Sequence, residues 1–214
     1  MQAHIRIRQF LIGSGLWYPL NLLRSIPAII RWLRSGCNGL APHPVKLMVI
    51  ESYLKRSSIH TFVETGTNLG DTLGYFSRKK IECTSIELSQ ELYRAACEVF
   101  KNRRNVRLIQ GDSSQRLPEL LKKTDKPALF WLDGHYSSGL TASAESHTPI
   151  SAELKAILDH AVKRHVILID DARYFDGTND YPHLDDLLRV IREDGNYSAE
   201  VSTDIIRLVP RAAS

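Results

Sequence analysis

The sequence predicts an α/β domain with a doubly wound, mainly parallel seven-stranded sheet, helices on both faces and an antiparallel C-terminal strand. Its 214 residues suit a single domain. Strand-like apolar runs alternate with helical segments, a pattern that indicates parallel strands joined by crossover helices. An acidic residue ends or follows each of the first five strand-like runs. Ligands collect at the carboxyl ends of parallel strands, so we expect the chemistry at that edge.

The predicted elements follow one another regularly after a linker rich in glycine and proline at residues 36–46. Strands are predicted at 59–64, 82–87, 106–109, 128–132 and 166–169, with two short strands around Thr203-Asp204 within 197–209. Helices are predicted at 71–80, 90–102, 115–123, 150–163 and 184–192. We therefore divide the chain into a basic, apolar N-terminal helical segment with its linker (1–46) and a main domain (47–214).

The basic excess of the chain lies at its N-terminus. The formal net charge is +4, yet six basic residues precede the first acid, Glu51. A helix predicted at 21–32 has a broad apolar face, which fits an accessory helix packed on the domain or on a second subunit of a homodimer. It also fits a basic amphipathic segment on an anionic membrane surface, so peripheral membrane contact stays open.

Targeting and cysteine signals favour the cytoplasm. Glycines and prolines interrupt the N-terminal apolar run, so no membrane span and no secretory signal are predicted. The three cysteines show neither CxxC spacing nor an even count, which is typical of a reducing compartment. We expect no specific nucleic-acid partner, because the basic residues do not alternate with aromatic residues on one face.

A glycine-containing turn follows the first predicted strand, with the sequence Glu64-Thr65-Gly66-Thr67-Asn68-Leu69-Gly70. Such a turn lets backbone approach a ligand closely. A dinucleotide-binding turn carries a middle glycine that makes room for the pyrophosphate, and Asn68 stands in that place. The turn therefore suits a ligand without phosphates, although this motif alone is weak evidence.

Two further acids suit a nucleoside. Glu87 ends the second strand, where a carboxylate can accept hydrogen bonds from both hydroxyls of a ribose. Asp112 follows the third strand, where it can accept from an adenine amino group, and Ser113 comes next. Each acid alone is common at a solvated strand end. Their placement on one edge of one sheet is the informative feature.

With these motifs the sequence resembles the Rossmann-like class I S-adenosylmethionine-dependent methyltransferases over about residues 50–210. The acid-x-Gly-x-x-x-Gly motif begins at Glu64, and the acids after the second, third and fourth strands are Glu87, Asp112 and Asp133. The resemblance implies that S-adenosylmethionine is the cofactor. It implies that the cofactor is held by Glu64, Thr65, Gly66, Thr67, Gly70, Thr72, Glu87, Asp112, Ser113 and Asp133.

A second group of acids suggests a metal. Asp133 follows the fourth strand and Asp170-Asp171 follow the fifth, and three close carboxylates repel one another unless a cation compensates them. Oxygen ligands suit Mg²⁺, Mn²⁺ or Ca²⁺. The arrangement resembles the metal-dependent sugar O-methyltransferases of the macrocin and aminocoumarin type. Those enzymes commonly have Asp-Gly-Asp where this chain has Asp133-Gly134-His135, so His135 is a candidate general base beside Asp133.

These observations favour an S-adenosylmethionine-dependent O-methyltransferase for a small hydroxylated acceptor, which we expect to be a sugar or a glycan-linked group. A methyltransferase for nucleic acid or protein is an alternative within the same fold. An NAD(P)-dependent oxidoreductase is disfavoured by the missing middle glycine. A non-catalytic assembly subunit is disfavoured by the intact set of acids.

Overall fold

A seven-stranded mixed sheet forms the centre of the computed structural model, which describes residues 2–133 and 148–211. Its strands lie in the order β3-β2-β1-β4-β5-β7-β6. The strands are β1 (Thr61–Thr65), β2 (Glu82–Glu87), β3 (Val106–Gln110), β4 (Leu129–Leu132), β5 (Val166–Ile169), β6 (Tyr197–Ser202) and β7 (Ile205–Pro210). The first five strands pair in parallel, whereas β7 is antiparallel to both β5 and β6. The predicted fold class is therefore confirmed.

Helices cover both faces of this sheet. They are α1 (Gln2–Ser14), α2 (Trp17–Arg34), α3 (His43–Arg56), α4 (Asp71–Phe76), α5 (Gln90–Phe100), α6 (Ser113–Leu121), α7 (Ile150–Asp159) and α8 (Leu184–Asp194), with a 3₁₀ turn at Ala172–Tyr174. Residues of α6, α7 and α8 join one hydrophobic cluster, and residues of α1 to α5 join the other. Strand β4 serves both clusters because its side chains alternate, with Phe130 in the first and Trp131 in the second.

The central strands consist of uninterrupted apolar residues because both their faces are covered. All four residues of β4 and all four of β5 are buried. Strand β6 lies at the edge of the sheet, and four of its six residues are exposed. The chain adds β2 and β3 on one side of β1 and then adds β4 and β5 on its other side, so the strand order reverses between β1 and β4, which makes this the topological switch point. The crevice beyond these two strand ends is where ligands bind in such sheets.

The N-terminal helices pack on the domain through polar and apolar contacts. Ile12 and Trp17 are buried in the second hydrophobic cluster. Arg8 Nη2 lies 2.7 Å from Asp71 Oδ2, and the Tyr18 hydroxyl donates to the Asp71 carbonyl over 3.1 Å. Helix α3 already begins at His43, so the end of the predicted linker is helical. Within residues 2–133 and 148–211, no helix has both the length and the apolar character needed to cross a membrane.

Gly74 is the point at which α4 meets the N-terminal helices. A methyl group there would overlap the Tyr18 hydroxyl and lie 2.6 Å from Ile12 Cγ2. We expect Gly74→Ala to lower the free energy of unfolding by about 1–3 kcal/mol, since a packed interface has no room for the extra carbon. The matched control is Gly13→Ala in α1, where the methyl group would lie 3.7 Å from Val99. Urea unfolding of both variants measures the difference, and equal stabilities would contradict this packing.

Candidate active site

The acids of the sequence motifs lie along one edge of the sheet. Glu64 is the penultimate residue of β1, Glu87 is the last residue of β2, and Asp112 caps the first turn of α6. Asp133 follows β4, where its backbone N–H donates to the Thr65 carbonyl over 3.2 Å. The negative charges of Asp133 and Glu87 both act on Glu64. Carboxylates that are distant in the sequence therefore meet around the switch point.

Glu64 is the most deeply buried acid of this edge. Its side chain accepts a 2.7 Å hydrogen bond from the Ser85 hydroxyl, which also lies 2.7 Å from the Thr67 hydroxyl. Burial raises the pKa of Glu64 well above its ordinary value, and the charges of Asp133 and Glu87 raise it further. No lysine or arginine of the described residues forms an ion pair with this carboxyl group. A cationic ligand group nearby would thus be favoured electrostatically.

The glycine-containing turn is tied to Glu87. The Asn68 N–H donates to Glu87 Oε2 and the Ser89 N–H donates to Glu87 Oε1, both over 2.8 Å. Burial raises the pKa of Glu87, and these hydrogen bonds oppose the rise. The N–H groups of Thr67 and Leu88 also lie near this carboxylate and lower its pKa. Gly66 and Gly70 both have positive φ angles, of 88° and 85°, as the tight turn requires.

Three N–H groups of the glycine-containing turn donate hydrogen bonds to acceptors within the protein. Gly66 N–H donates to the Ile86 carbonyl over 2.9 Å, and Gly70 N–H donates to the Thr67 carbonyl over 2.8 Å. With the Asn68 N–H bound to Glu87, three backbone donors of the turn already have acceptors. A pyrophosphate needs such donors, so the turn is poorly suited to a dinucleotide.

Asp112 and Ser113 stand at the start of α6. Asp112 Oδ1 accepts from the Ser114 N–H over 2.8 Å, which leaves the second oxygen of this half-buried carboxylate for another donor. Ser113 is buried beside Glu153 of α7, which the sequence analysis did not identify. Glu153 is fully buried, and neither carboxylate oxygen has a partner of regular geometry among the described residues. Burial raises its pKa to about 7, although the nearby Ser113 and Thr65 hydroxyls oppose the rise.

The predicted metal acids do converge. One oxygen from each of Asp133, Asp170 and Asp171 lies within 4.8 Å of the others. Lys46 of α3 reaches the same group, with Nζ at 2.6 Å from Asp170 Oδ1 and 3.0 Å from Asp171 Oδ1. Arg173 Nη1 donates to Asp171 Oδ1 over 2.9 Å. Burial, followed by the charge of Asp133, raises the pKa of Asp170 to about 7 even though Lys46 lowers it.

A cavity of about 610 Å³ adjoins these acids. Asp133, Asp170, Asp171 and Trp131 form its floor at the sheet edge, while α2 and α3 supply Arg31, Trp32, His43 and Lys46. Thr72, predicted on the cofactor side, also lines this cavity, with its hydroxyl 3.2 Å from His43 Nε2. Burial lowers the pKa of His43, so its imidazole is neutral at neutral pH.

The structure thus adds His43 and Lys46 to the residues found in the sequence. The linker prediction obscured them, because Pro42 and Pro44 flank His43. In fact Pro42 is the N-cap residue of α3 and Pro44 lies in its first turn, where proline is tolerated. The three-residue spacing of His43 and Lys46 then places them on one helix face. His135 lies outside the described residues.

Glu153 should leave a pH signature on stability. Its carboxyl group ionises near pH 7 in the folded protein and near 4.5 in the unfolded chain, so stability falls as pH rises between these values. The loss amounts to roughly 3 kcal/mol. Between pH 5 and pH 8, the free energy of unfolding of the parent should fall more than that of Glu153→Gln, and the difference should be about this amount. Glu119→Gln, an exposed change on α6, is the control. Parallel pH profiles for the parent and Glu153→Gln would contradict the assignment.

No protein-family model and no curated protein matches the sequence. Similar solved structures include a Podospora anserina methyltransferase with bound SAH (18% identity, 78% of each chain, TM-score 0.57). A Bacillus cereus O-methyltransferase in complex with SAH has 14% identity over 95% of this chain and 97% of that chain, with TM-score 0.59. The Streptomyces achromogenes O-methyltransferase TomG with SAM has 14% identity over 93% and 98%, with TM-score 0.53. At these identities the similarity establishes the fold, and this chain has the Rossmann-like class I methyltransferase fold.

Proposed function

We propose that the chain is an S-adenosylmethionine-dependent O-methyltransferase that acts on a small hydroxylated acceptor. One observation carries this proposal. The acids Glu64, Glu87 and Asp133 lie close enough at the ends of β1, β2 and β4 to act on one another, and Asp133 also lines the cavity under α2 and α3. A methyl donor held at these strand ends would therefore lie next to an acceptor in the cavity. Solved proteins of the same fold that contain SAH or SAM support the cofactor.

On the cofactor side, the proposed contacts follow from charge and hydrogen-bond capacity. S-adenosylmethionine carries an ammonium group and a sulfonium centre, which suit the uncompensated carboxyl group of Glu64 and the nearby Asp133. Glu87 accepts from the ribose hydroxyls, and Asp112 accepts from the adenine amino group. Thr65, Gly66, Thr67, Gly70 and Ser113 shape the turn and the strand ends around the ligand.

On the acceptor side, the cavity favours a molecule with both polar and apolar faces. The carboxylates can accept hydrogen bonds from hydroxyl groups. The rings of Trp32 and Trp131 offer apolar walls, and their indole N–H groups have no partner among the described residues. A donor without a partner favours an acceptor oxygen on the ligand. These features support a sugar or a glycan-linked group.

Methyl transfer is an in-line displacement that this arrangement can align. The acceptor oxygen forms a bond to the methyl carbon while the carbon–sulfur bond breaks and its electron pair stays on sulfur. The hydroxyl proton must go to a base, and the neutral imidazole of His43 in the cavity wall can take it. His135 stays a predicted base beside it.

The fit of a divalent cation depends on Lys46. Three carboxylates are donors that suit Mg²⁺, but the Lys46 ammonium already lies within 3.0 Å of oxygens from two of them. A divalent ion there would be repelled by Lys46, so the site as it stands does not fit one. We propose that Lys46 supplies the compensating charge. The sequence-based expectation of Mg²⁺, Mn²⁺ or Ca²⁺ stays a prediction.

The alternative functions have less support. An NAD(P)-dependent oxidoreductase is disfavoured because backbone donors of the turn are bound to Glu87 and to neighbouring carbonyls. No specific feature of the described residues favours nucleic acid or protein as acceptor.

Glu87 tests the cofactor assignment. S-adenosylhomocysteine should raise the melting temperature of the parent protein, whereas NAD should not. We expect Glu87→Gln to weaken this ligand's affinity at least about ten-fold, because one acceptor oxygen becomes a donor. Glu82→Gln, an exposed change on the same strand, is the control and should keep the full shift. An equal shift in Glu87→Gln, or stabilisation by NAD alone, would overturn the ribose role.

Lys46 tests the cation assignment without any need for turnover. We expect the parent to bind no Mn²⁺ in calorimetry. Lys46→Met should gain a Mn²⁺ site and a higher melting temperature with Mn²⁺, because Asp170 and Asp171 then lose the Lys46 ammonium. Lys55→Met on the exposed side of α3 is the matched control. Stoichiometric Mn²⁺ binding by the parent that Asp170→Asn abolishes would instead establish a metal site.

A further inference from the structure

The outward side of α2 is an uncovered apolar surface. Leu22, Leu23, Ile26, Ile30 and Leu33 are each between 43% and 62% exposed, and we call them the outer face of α2. They recur at intervals of three or four residues or adjoin one another, which places them on one broad helix face. The helix is attached to the domain at its start, where Trp17 is buried. A run of large apolar side chains of this length in solvent calls for a partner.

Charge identifies the kind of partner. The first fifty residues contain six lysines and arginines and no acid, against a formal net charge of +4 for the whole chain. Two of these cations are engaged elsewhere, Arg8 with Asp71 and Lys46 with Asp170. Arg24, Arg31 and Arg34 of α2 are exposed. Among the described residues, none forms an ion pair with them.

The arginines border both the outer face and the cavity. Arg24 and Arg31 are seven residues apart, so they project from the same side of α2. Arg31 lines the cavity together with Ala28, Trp32 and Ser35 of the same helix. Helix α2 therefore has an apolar outer face, a basic flank and an inner side that forms the cavity wall.

We propose that the outer face of α2 docks on an anionic lipid surface, with the helix parallel to the bilayer. Apolar side chains would enter the head-group boundary, and the flanking arginines would meet lipid phosphates. The cavity, which Arg31 and Trp32 of the same helix line, would then lie close to the bilayer surface. Resting on the proposed function, it identifies the acceptor as the hydroxylated head group of an amphiphile.

A second copy of the chain fits this surface less well. A two-fold symmetric dimer brings the same surface of each copy against the other. The arginine-bordered face would then meet arginines of equal charge, with no acid in the first fifty residues to pair with them. An anionic surface complements the same groups.

Vesicle flotation tests the docking. The parent should float with vesicles of phosphatidylcholine and phosphatidylglycerol at least about ten-fold more than with phosphatidylcholine alone, and less at high salt. Leu23→Glu/Ile26→Glu should abolish flotation, and Arg24→Gln/Arg34→Gln should reduce it. Val201→Glu is the matched control, since Val201 is 42% exposed on β6, away from α2. Each variant should keep the parent's melting temperature in solution.

A fluorophore on Cys37 tests the orientation. Cys37 is exposed just beyond α2, and Ser35 and Asn38 beside it line the cavity. In a Cys97→Ser background, the emission maximum of a polarity-sensitive fluorophore on Cys37 should shift to shorter wavelength when anionic vesicles are added. The proposal would be overturned if the parent does not float with anionic vesicles or if the α2 variants float as well as the parent. It would also be overturned if the emission of the label does not shift. A solution dimer that Leu23→Glu/Ile26→Glu converts to monomer would assign the face to a second copy. Flotation without an S-adenosylhomocysteine shift would count against the proposed function alone.

Discussion

Repulsion among buried carboxylates at the carboxyl edge of the sheet is the constraint on which the rest of the structure depends. The parallel sheet brings these acids together, and burial raises the pKa of Glu64, Glu87 and Asp170. The compensating cations cannot come from the apolar central strands. They come from Lys46 on α3 and from Arg173 after β5. Docking of α3 is thus an electrostatic requirement of the site.

Because α3 must dock, the N-terminal segment becomes part of the site. The inner sides of α2 and α3 wall the cavity, while Ile12 and Trp17 anchor the helices in the core. Arg8 holds Asp71 at the start of α4, directly before Thr72 of the cavity. In the proposed enzyme, the sheet edge would hold the cofactor and the N-terminal helices would enclose the acceptor.

The sequence predicted the sheet well because burial leaves a clear pattern. The bounds of β2 and β5 match the predicted ranges, and the acids lie at the predicted strand ends. Features that depend on tertiary contacts were missed. The role of Lys46 depends on its contact with Asp170, which is distant in the sequence. Glu153 is a charged residue in a helical segment, and the sequence does not indicate that it is fully buried. Helix α4 ends at Phe76, four residues before its predicted end at residue 80. The hydroxyl of the next residue, Ser77, donates to the Gly74 carbonyl at this point.

Charge balance at this edge bears directly on the proposed reaction. The sulfonium of the donor is positive before methyl transfer, and the sulfur is neutral afterwards. Fully ionised carboxylates around it would stabilise the reactant more than the transition state and would slow the transfer. Burial that raises the pKa of Glu64, together with Lys46 beside Asp170 and Asp171, reduces this penalty. The same compensation leaves the acids able to orient the acceptor hydroxyl, so one arrangement of charges serves both substrates.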